Sequence, residues 1–156
     1  MKRSAGILLV RSIGKELEFF LVHPGGPFFQ RKNEGWWTIP KGEILLNEDP
    51  LNAAIREFEE ETGIQLKGVF HPLPAIKQKG GKEVLCWVIK GNIDPNAVKS
   101  NSFEIEWPPK SGIRTQFPEI DKAGWFSYSE AKILINVKQI PFLDEALQIH
   151  NPSTEF

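Results

Sequence analysis

Apolar positions along the chain fall into short runs of two different periods, separated by glycine, proline and charged residues. Ala5 to Arg11 is an apolar run rich in Ile, Leu and Val, and Leu17 to His23 is a second. Both are predicted strands, and Ser12-Ile13-Gly14-Lys15-Glu16 is short enough to join them as a hairpin. His23-Pro24-Gly25-Gly26-Pro27 then breaks the chain. Trp36-Trp37-Thr38-Ile39-Pro40 reads as a short strand closed by proline. Further strands are predicted near Gly68 to Lys77, Glu83 to Lys90 and Ala123 to Phe126.

The period changes to that of a helix after Asp49. Leu51, Ala54, Ile55 and Phe58 recur at i, i+3, i+4 and i+7 and make one apolar face. Asp49 suits the N-cap, Pro50 the first helical position and Gly63 the residue just past the end. Ser129 to Ile135 and Phe142 to His150 also read as helices, with Pro141 opening the second. Asn92 to Pro118 is rich in Pro, Ser and Asn and reads as a long functional loop with a short strand inside it. Strands mixed with two or three helices predict a mixed sheet covered by helices.

Composition narrows the picture. The 156 residues suit one domain, 1–156, with 40% hydrophobic and 25% charged residues. A chain this long buries roughly two-thirds of its unfolded surface and needs no disulfide to fold. Nineteen Lys and Arg against 20 Asp and Glu give a net charge of -1, which excludes a strongly basic nucleic-acid binder. Cys86, the one cysteine, lies in the apolar run Val84 to Ile89 and reads as a core thiol. His23, His71 and His150 are too scattered for a zinc site. The apolar run after Lys2 and Arg3 stops at Arg11, too soon for a signal peptide, and no stretch nears membrane-spanning length. A soluble, cytoplasmic protein with a reduced cysteine and no membrane partner is expected.

The chemistry lies on the other side of the first helix. Glu57, Glu60 and Glu61 stand at i, i+3 and i+4 and share a face, whereas Glu59 points elsewhere. Like charges so placed repel by a few tenths of a kcal/mol per pair, and the helix C-terminus disfavours anions further. A hard divalent cation with oxygen ligands would remove the repulsion. A solvated acidic face, with Arg56 neutralising Glu60, is the plain alternative.

The surroundings decide between them. From Gly42 the chain runs five residues to Glu48, seven more, then Arg56-Glu57-Phe58-Glu59-Glu60-Glu61-Thr62-Gly63-Ile64. Seven fixed identities and two apolar positions agree with the Nudix box, and Trp37-Thr38-Ile39-Pro40-Lys41 resembles the usual approach to it. The chain thus resembles the Nudix hydrolase superfamily, whose best-known type is MutT. The resemblance implies an α/β/α sandwich (α+β class) around a central mixed sheet. It also implies Mg²⁺, or Mn²⁺, as cofactor and hydrolysis of a nucleoside diphosphate linked to a further group. A Nudix-fold binding or sensor domain without catalysis is the alternative.

By the same resemblance Glu57, Glu60 and Glu61 match metal-ligand and base positions, and the Gly42 carbonyl matches a backbone ligand. Glu48 matches the acidic position just outside the ligands, and Arg56 the residue that orients a neighbouring carboxylate. Members often add a downstream acidic residue, for which Glu104, Glu106 and Glu119 compete; Glu106 and Glu119 are carried as candidate ligands. Phosphates call for cations, and Lys41, Arg31 and Lys79 lead a field that includes Lys32, Lys77, Lys82, Lys110 and Arg114. Trp107, in a proline-rich loop, is a candidate for stacking on a base, whereas Trp87 and Trp125 read as core. His23-Pro24-Gly25-Gly26-Pro27 could turn backbone N–H groups toward a phosphate.

Downstream of the box, Gln78-Lys79-Gly80-Gly81-Lys82 carries neither the proline frequent in ADP-ribose hydrolases nor the tyrosine frequent in diadenosine polyphosphate hydrolases. The approach to the box resembles members that act on polyphosphates. Nucleoside triphosphates and dinucleoside polyphosphates are therefore the expected substrates. Residues 43–61 carry a local charge of -6 and the rest of the chain +5. An acidic cradle in a mildly basic body suits a metal-bridged, polyanionic small molecule better than a nucleic-acid strand.

Overall fold

Strand β1 (Arg3–Ile13) is buried on both faces, and its neighbours explain why. It pairs antiparallel with β2 (Glu16–Pro24) through a tight turn at Gly14, whose φ of 64° suits glycine. On its other side it runs parallel to β5 (Glu83–Lys90), and its first residues also pair with the short β3 (Lys41–Glu43). With β4 (His71–Lys77) outside β5 and β8 (Ile120–Ser127) outside β2, the strands form a six-stranded mixed sheet in the order β4-β5-β1-β2-β8. The computed structural model describes residues 2–150; Met1 and 151–156 of the expected domain lie outside the described residues.

Alternation along the strands sorts two cores. Ala5, Ile7 and Leu9 of β1, with Phe20 and Val22 of β2, face helix α1 (Pro50–Thr62) and meet its Ala53, Ala54 and Phe58. Leu8 and Val10, with Phe19, Leu21, Val84, Cys86 and Val88, face α2 (Tyr128–Leu134) and α3 (Ile140–Ile149). Helices on both faces of the sheet make the expected α/β/α sandwich. Cys86 is buried as expected, and burial pushes its thiol well above the ordinary range. No helix of the described residues is long and apolar enough to cross a membrane.

Helix α1 forms where its signals place it. The Asp49 carboxylate accepts the Asn52 N–H at 3.1 Å, and Gly63, at φ 79°, donates its N–H to the Glu59 carbonyl at 2.7 Å. Ser127 caps α2 in a reciprocal box with Glu130.

Two expectations are corrected. Residues 36–40 are not a strand; they make only isolated bridges, Thr38 to Val22 and Trp37 to Ile135, and the pairing strand β3 starts at Lys41. Pro40 has no N–H to give, and the Pro40 carbonyl instead accepts the Ile7 N–H at 3.1 Å. The 92–118 segment holds not one strand but a hairpin of its own, β6 (Ser102–Glu106) with β7 (Arg114–Pro118), separate from the main sheet. Phe103, Ile105, Thr115 and Phe117 are half-buried on one face of it; Glu104, Glu106, Arg114 and Gln116 are exposed on the other.

Candidate active site

Gly42, in the middle of β3, lies directly against Glu57 of α1. A Cβ at residue 42 would stand 2.0 Å from the Glu57 carboxyl carbon and 2.1 Å from its Oε2. The requirement there is space rather than backbone freedom: only a residue without a side chain lets the carboxylate rest on the strand.

Arg56 organises the acids around it. Its Nε and Nη2 donate to the two oxygens of Glu48 at 2.8 and 2.9 Å, a bidentate pair. Its Nη1 donates to Glu57 Oε1 at 2.9 Å and to Glu60 Oε2 at 3.0 Å, and Nη2 also reaches the Glu43 carbonyl at 3.1 Å. One guanidinium thus ties the 44–49 loop to the helix and holds two of its carboxylates. Glu48 also accepts the Leu45 N–H, and these bonds, Arg56's first, hold its carboxyl below the usual range.

The remaining acids repel one another. Burial and then the charge of Glu57 push the Glu61 carboxyl up to about 8, against the opposing pull of the Lys41 charge and a Lys41 backbone bond. Glu57 is raised by burial and by Glu60, although its Arg56 bond acts the other way. Glu119 is raised by burial and by Glu60. Glu59 is exposed to solvent, away from this group.

Glu119 reaches the field of the helix because the chain is stitched there. The Asn101 N–H bonds the Glu60 carbonyl, the Glu119 N–H bonds the Asn101 carbonyl, and the Gly25 N–H bonds the Glu119 carbonyl, each at 2.8 Å. Glu106 has a different use: its carboxylate accepts the N–H groups of Lys110 and Gly112 at 3.0 and 3.1 Å and closes the β6–β7 turn. Glu104 bonds Arg114 on the outer face of the hairpin. Of the three downstream acids, only Glu119 shares the electrostatics of the helix carboxylates.

The cationic candidates disperse. The first carbon of the Lys41 side chain lies 2.7 Å from where a Cβ on Gly6 would stand, so it leaves the strand on the Gly6 face. Its ammonium still feels Glu61 and Glu57, and burial and the nearby Lys82 hold its pKa below the ordinary value. Arg31 is exposed in a loop, and Lys79 is exposed at the start of a short 3-10 turn, Lys79–Gly81. Lys32 lies over the Trp36 ring, 5.2 Å from its centre. The Gly25 N–H, an anticipated phosphate donor, is bonded to the Glu119 carbonyl instead.

Trp107 stands at the hairpin turn with its ring 5.5 Å from that of Phe28. Phe28 escapes sequence reasoning, although Pro27-Phe28-Phe29 is an unusual pair of aromatics in a polar loop. The role of His23 escapes it too. Its ring is fully buried, with Nδ1 2.7 Å from Asp121 and Nε2 2.6 Å from the Lys32 carbonyl.

The NUDIX domain profile matches residues 1–146. The chain belongs to the Nudix superfamily. Among curated Nudix relatives, it is 46% identical over 95 residues to the uncharacterized Nudix hydrolase YvcI of Bacillus subtilis, covering 54% of this chain and 58% of that one. It is 30% identical over 111 residues to the asymmetrical bis(5'-nucleosyl)-tetraphosphatase of Caenorhabditis elegans, covering 67% of this chain and 75% of that one. Several relatives are longer proteins: the match spans 27% of an octanoyltransferase of Myxococcus xanthus and 36% of the mRNA-decapping protein g5R of African swine fever virus. The crystal structure of a C. elegans Ap4A hydrolase binary complex shares the fold, with a TM-score of 0.63 and 21% identity over 93% of this chain and 97% of that one.

Nudix hydrolases generally use divalent metal ions. Among the described residues, no group of three or more His, Cys, Asp or Glu side chains is gathered closely enough to hold a metal as it stands. Arg56 engages two of the candidate carboxylates, Glu57 and Glu60. The donor chemistry nonetheless fits a hard cation. Every candidate ligand is an oxygen, the carboxylates repel one another, and the backbone at Gly42 is bare of side chain where Glu57 meets it.

Proposed function

We propose that the protein is a Mg²⁺-dependent pyrophosphohydrolase, with Mn²⁺ able to substitute. Its substrate is a nucleoside diphosphate linked to a further group, either a nucleoside triphosphate or a dinucleoside polyphosphate. The observation that carries this reading is the field of four carboxylates, Glu57, Glu60, Glu61 and Glu119, with Arg56 held among them. Repelling charges so placed serve a cation and its polyanionic substrate better than they serve the helix.

In this reading Glu57, Glu60, Glu61 and the Gly42 carbonyl would hold the cation, with Glu119 as the downstream acid. When bound, the cation would supply charge neutralisation at the phosphates and make a water easier to deprotonate. Arg56 keeps Glu57 and Glu60 oriented while Glu48 fixes Arg56 from behind. One of the carboxylates takes a proton from the attacking water as the water oxygen bonds to phosphorus and the bridging P–O bond breaks, its electron pair leaving on the departing phosphate. Lys41, with Arg31 from its loop and Lys79 from its 3-10 turn, offsets the remaining phosphate charge. A cytoplasmic setting, in which the buried Cys86 stays reduced, completes the proposal.

A panel of nucleoside triphosphates, dinucleoside polyphosphates and ADP-ribose, each with Mg²⁺ or Mn²⁺, tests it through phosphate release after coupled cleavage. Turnover of one of the first two classes supports the reading. Binding without turnover would favour the sensor alternative.

A further inference from the structure

We infer that His23 is a positioning residue for Glu119: held as a buried imidazolium, its ring clasps the 25–35 loop and the start of β8 into one unit. This deepens the proposed hydrolase activity and rests on it for what Glu119 does there.

The ladder between β2 and β8 breaks at this point. His23 pairs with Lys122 and Pro24 with Ile120, so Asp121 is an extra residue, a bulge. Bulges re-aim a side chain, and here the Asp121 carboxylate meets the His23 ring, with Oδ1 2.7 Å from Nδ1. The other ring nitrogen, Nε2, lies 2.6 Å from the Lys32 carbonyl oxygen at the far side of the loop. A carboxylate and a carbonyl both accept, and a neutral imidazole has only one N–H to give. A bare nitrogen at either position would set lone pair against lone pair. The ring therefore carries a proton on each nitrogen and donates twice.

The surroundings suit such a charge. The ring is fully buried, where a charge is costly unless it is paired and hydrogen-bonded, and both conditions are met. Asp121 keeps 28% of its side chain open to water, so its own negative charge stays hydrated. The other charged groups nearby turn elsewhere. Lys122, across the ladder, is exposed, and Lys32 sets its ammonium over the Trp36 ring. The Trp37 ring closes the cluster, 5.5 Å from that of His23.

The clasp reaches Glu119 from two sides. Two residues past His23, the Gly25 N–H donates to the Glu119 carbonyl; two residues past Glu119, Asp121 receives the ring. A Cβ on Gly25 would lie 2.1 Å from the Pro118 carbonyl oxygen, so the two backbones touch with no side chain between them. On the loop, the second ring bond fixes Lys32, and the next residue, Asn33, accepts the Trp37 Nε1–H at 2.8 Å. One ring thus sets both the backbone that carries Glu119 and the loop that carries Arg31.

Nitrogen-15 NMR of the wild-type imidazoles at about pH 7.5, where an ordinary histidine is mostly neutral, tests the charge. His23 should show a proton on both nitrogens, and a singly protonated ring would overturn the proposal. Amide hydrogen exchange tests the clasp without reference to activity. In His23→Gln the Gly25 amide should exchange at least about tenfold faster, while the amides of β1 slow or speed with global stability alone. Unchanged protection of Gly25 would overturn the clasp. Turnover of wild type, His23→Gln, Glu119→Gln and the double variant reads the coupling. His23→Gln should lower kcat about tenfold in the wild-type background and less than about twofold in Glu119→Gln. Equal losses in the two backgrounds would make His23 merely structural and overturn the positioning role. Should Glu119→Gln keep full turnover, the downstream-acid reading falls and the positioning role with it, while the NMR and exchange results still decide the clasp. If His23→Gln fails to fold, Asp121→Asn, at a partly exposed side chain, replaces it in both the exchange and the kinetic comparison.

Discussion

The carboxylate of Glu57 occupies the space in which a side chain on Gly42 would begin, 2.0 Å from the position of its Cβ. Strand β3 and helix α1 are thereby matched to within one methyl group. Gly42→Ala must displace either the strand or the carboxylate. It is expected to lower kcat at least about a hundredfold while leaving the far-ultraviolet circular dichroism spectrum close to wild type.

Glu61 carries an energetic cost that its proposed function explains. Its folded-state pKa, about 8, lies above the ordinary carboxylate value of 4.5. Folding therefore favours the protonated form. That contribution is full below pH 4.5 and is lost as pH rises through about 8. In chelator at pH 8.5, Glu61→Gln should be more stable than wild type by on the order of 2 kcal/mol, and the gain should vanish near pH 4. Denaturant titration at the two pH values checks this, and the same variant should have lost turnover.

Arg56 makes five hydrogen bonds to four residues, and a lysine cannot reproduce that fork. Arg56→Lys should keep the fold but lower kcat/KM about ten- to a hundredfold. Steady-state kinetics beside a thermal melt would separate this from simple unfolding.

The downstream acids should divide sharply. Glu119→Gln is expected to lower kcat at least about tenfold, because its carboxylate shares the field of Glu60. Glu106→Gln should keep kcat within about threefold, because the Glu106 carboxylate is spent on the hairpin turn, where it accepts from Lys110 and Gly112. Loss of turnover with Glu106→Gln and none with Glu119→Gln would reverse the assignment.

Much of this architecture is legible from local signals. Helix α1 announces itself through Asp49, Pro50 and Gly63, and the spacing from Gly42 to Ile64 by itself marks the acidic site. Strands β1 and β2 are continuous apolar runs around a glycine turn. What escapes is set by long-range packing. Phe103-Glu104-Ile105-Glu106-Trp107 alternates as a strand should, but its partner, Arg114 to Pro118, lies beyond two prolines and a glycine. The apolar run at 36–40 is core material that pairs only at isolated bridges, because burial and strand pairing are separate demands. The choice between Glu106 and Glu119 depends on how the hairpin is stitched to α1 through Asn101, and no local pattern carries that. The contact of Phe28 with Trp107 forms only when the hairpin brings the two rings together.

The most direct test of the central claim is the rate of cleavage of the best nucleotide as Mg²⁺ is titrated into chelated protein, for wild type and Glu60→Gln together. Wild-type turnover should rise from zero and saturate with the ion, and Glu60→Gln should be slower by at least about a hundredfold at saturating Mg²⁺. Turnover that persists in chelator, or a Glu60→Gln variant as fast as wild type, would contradict the account.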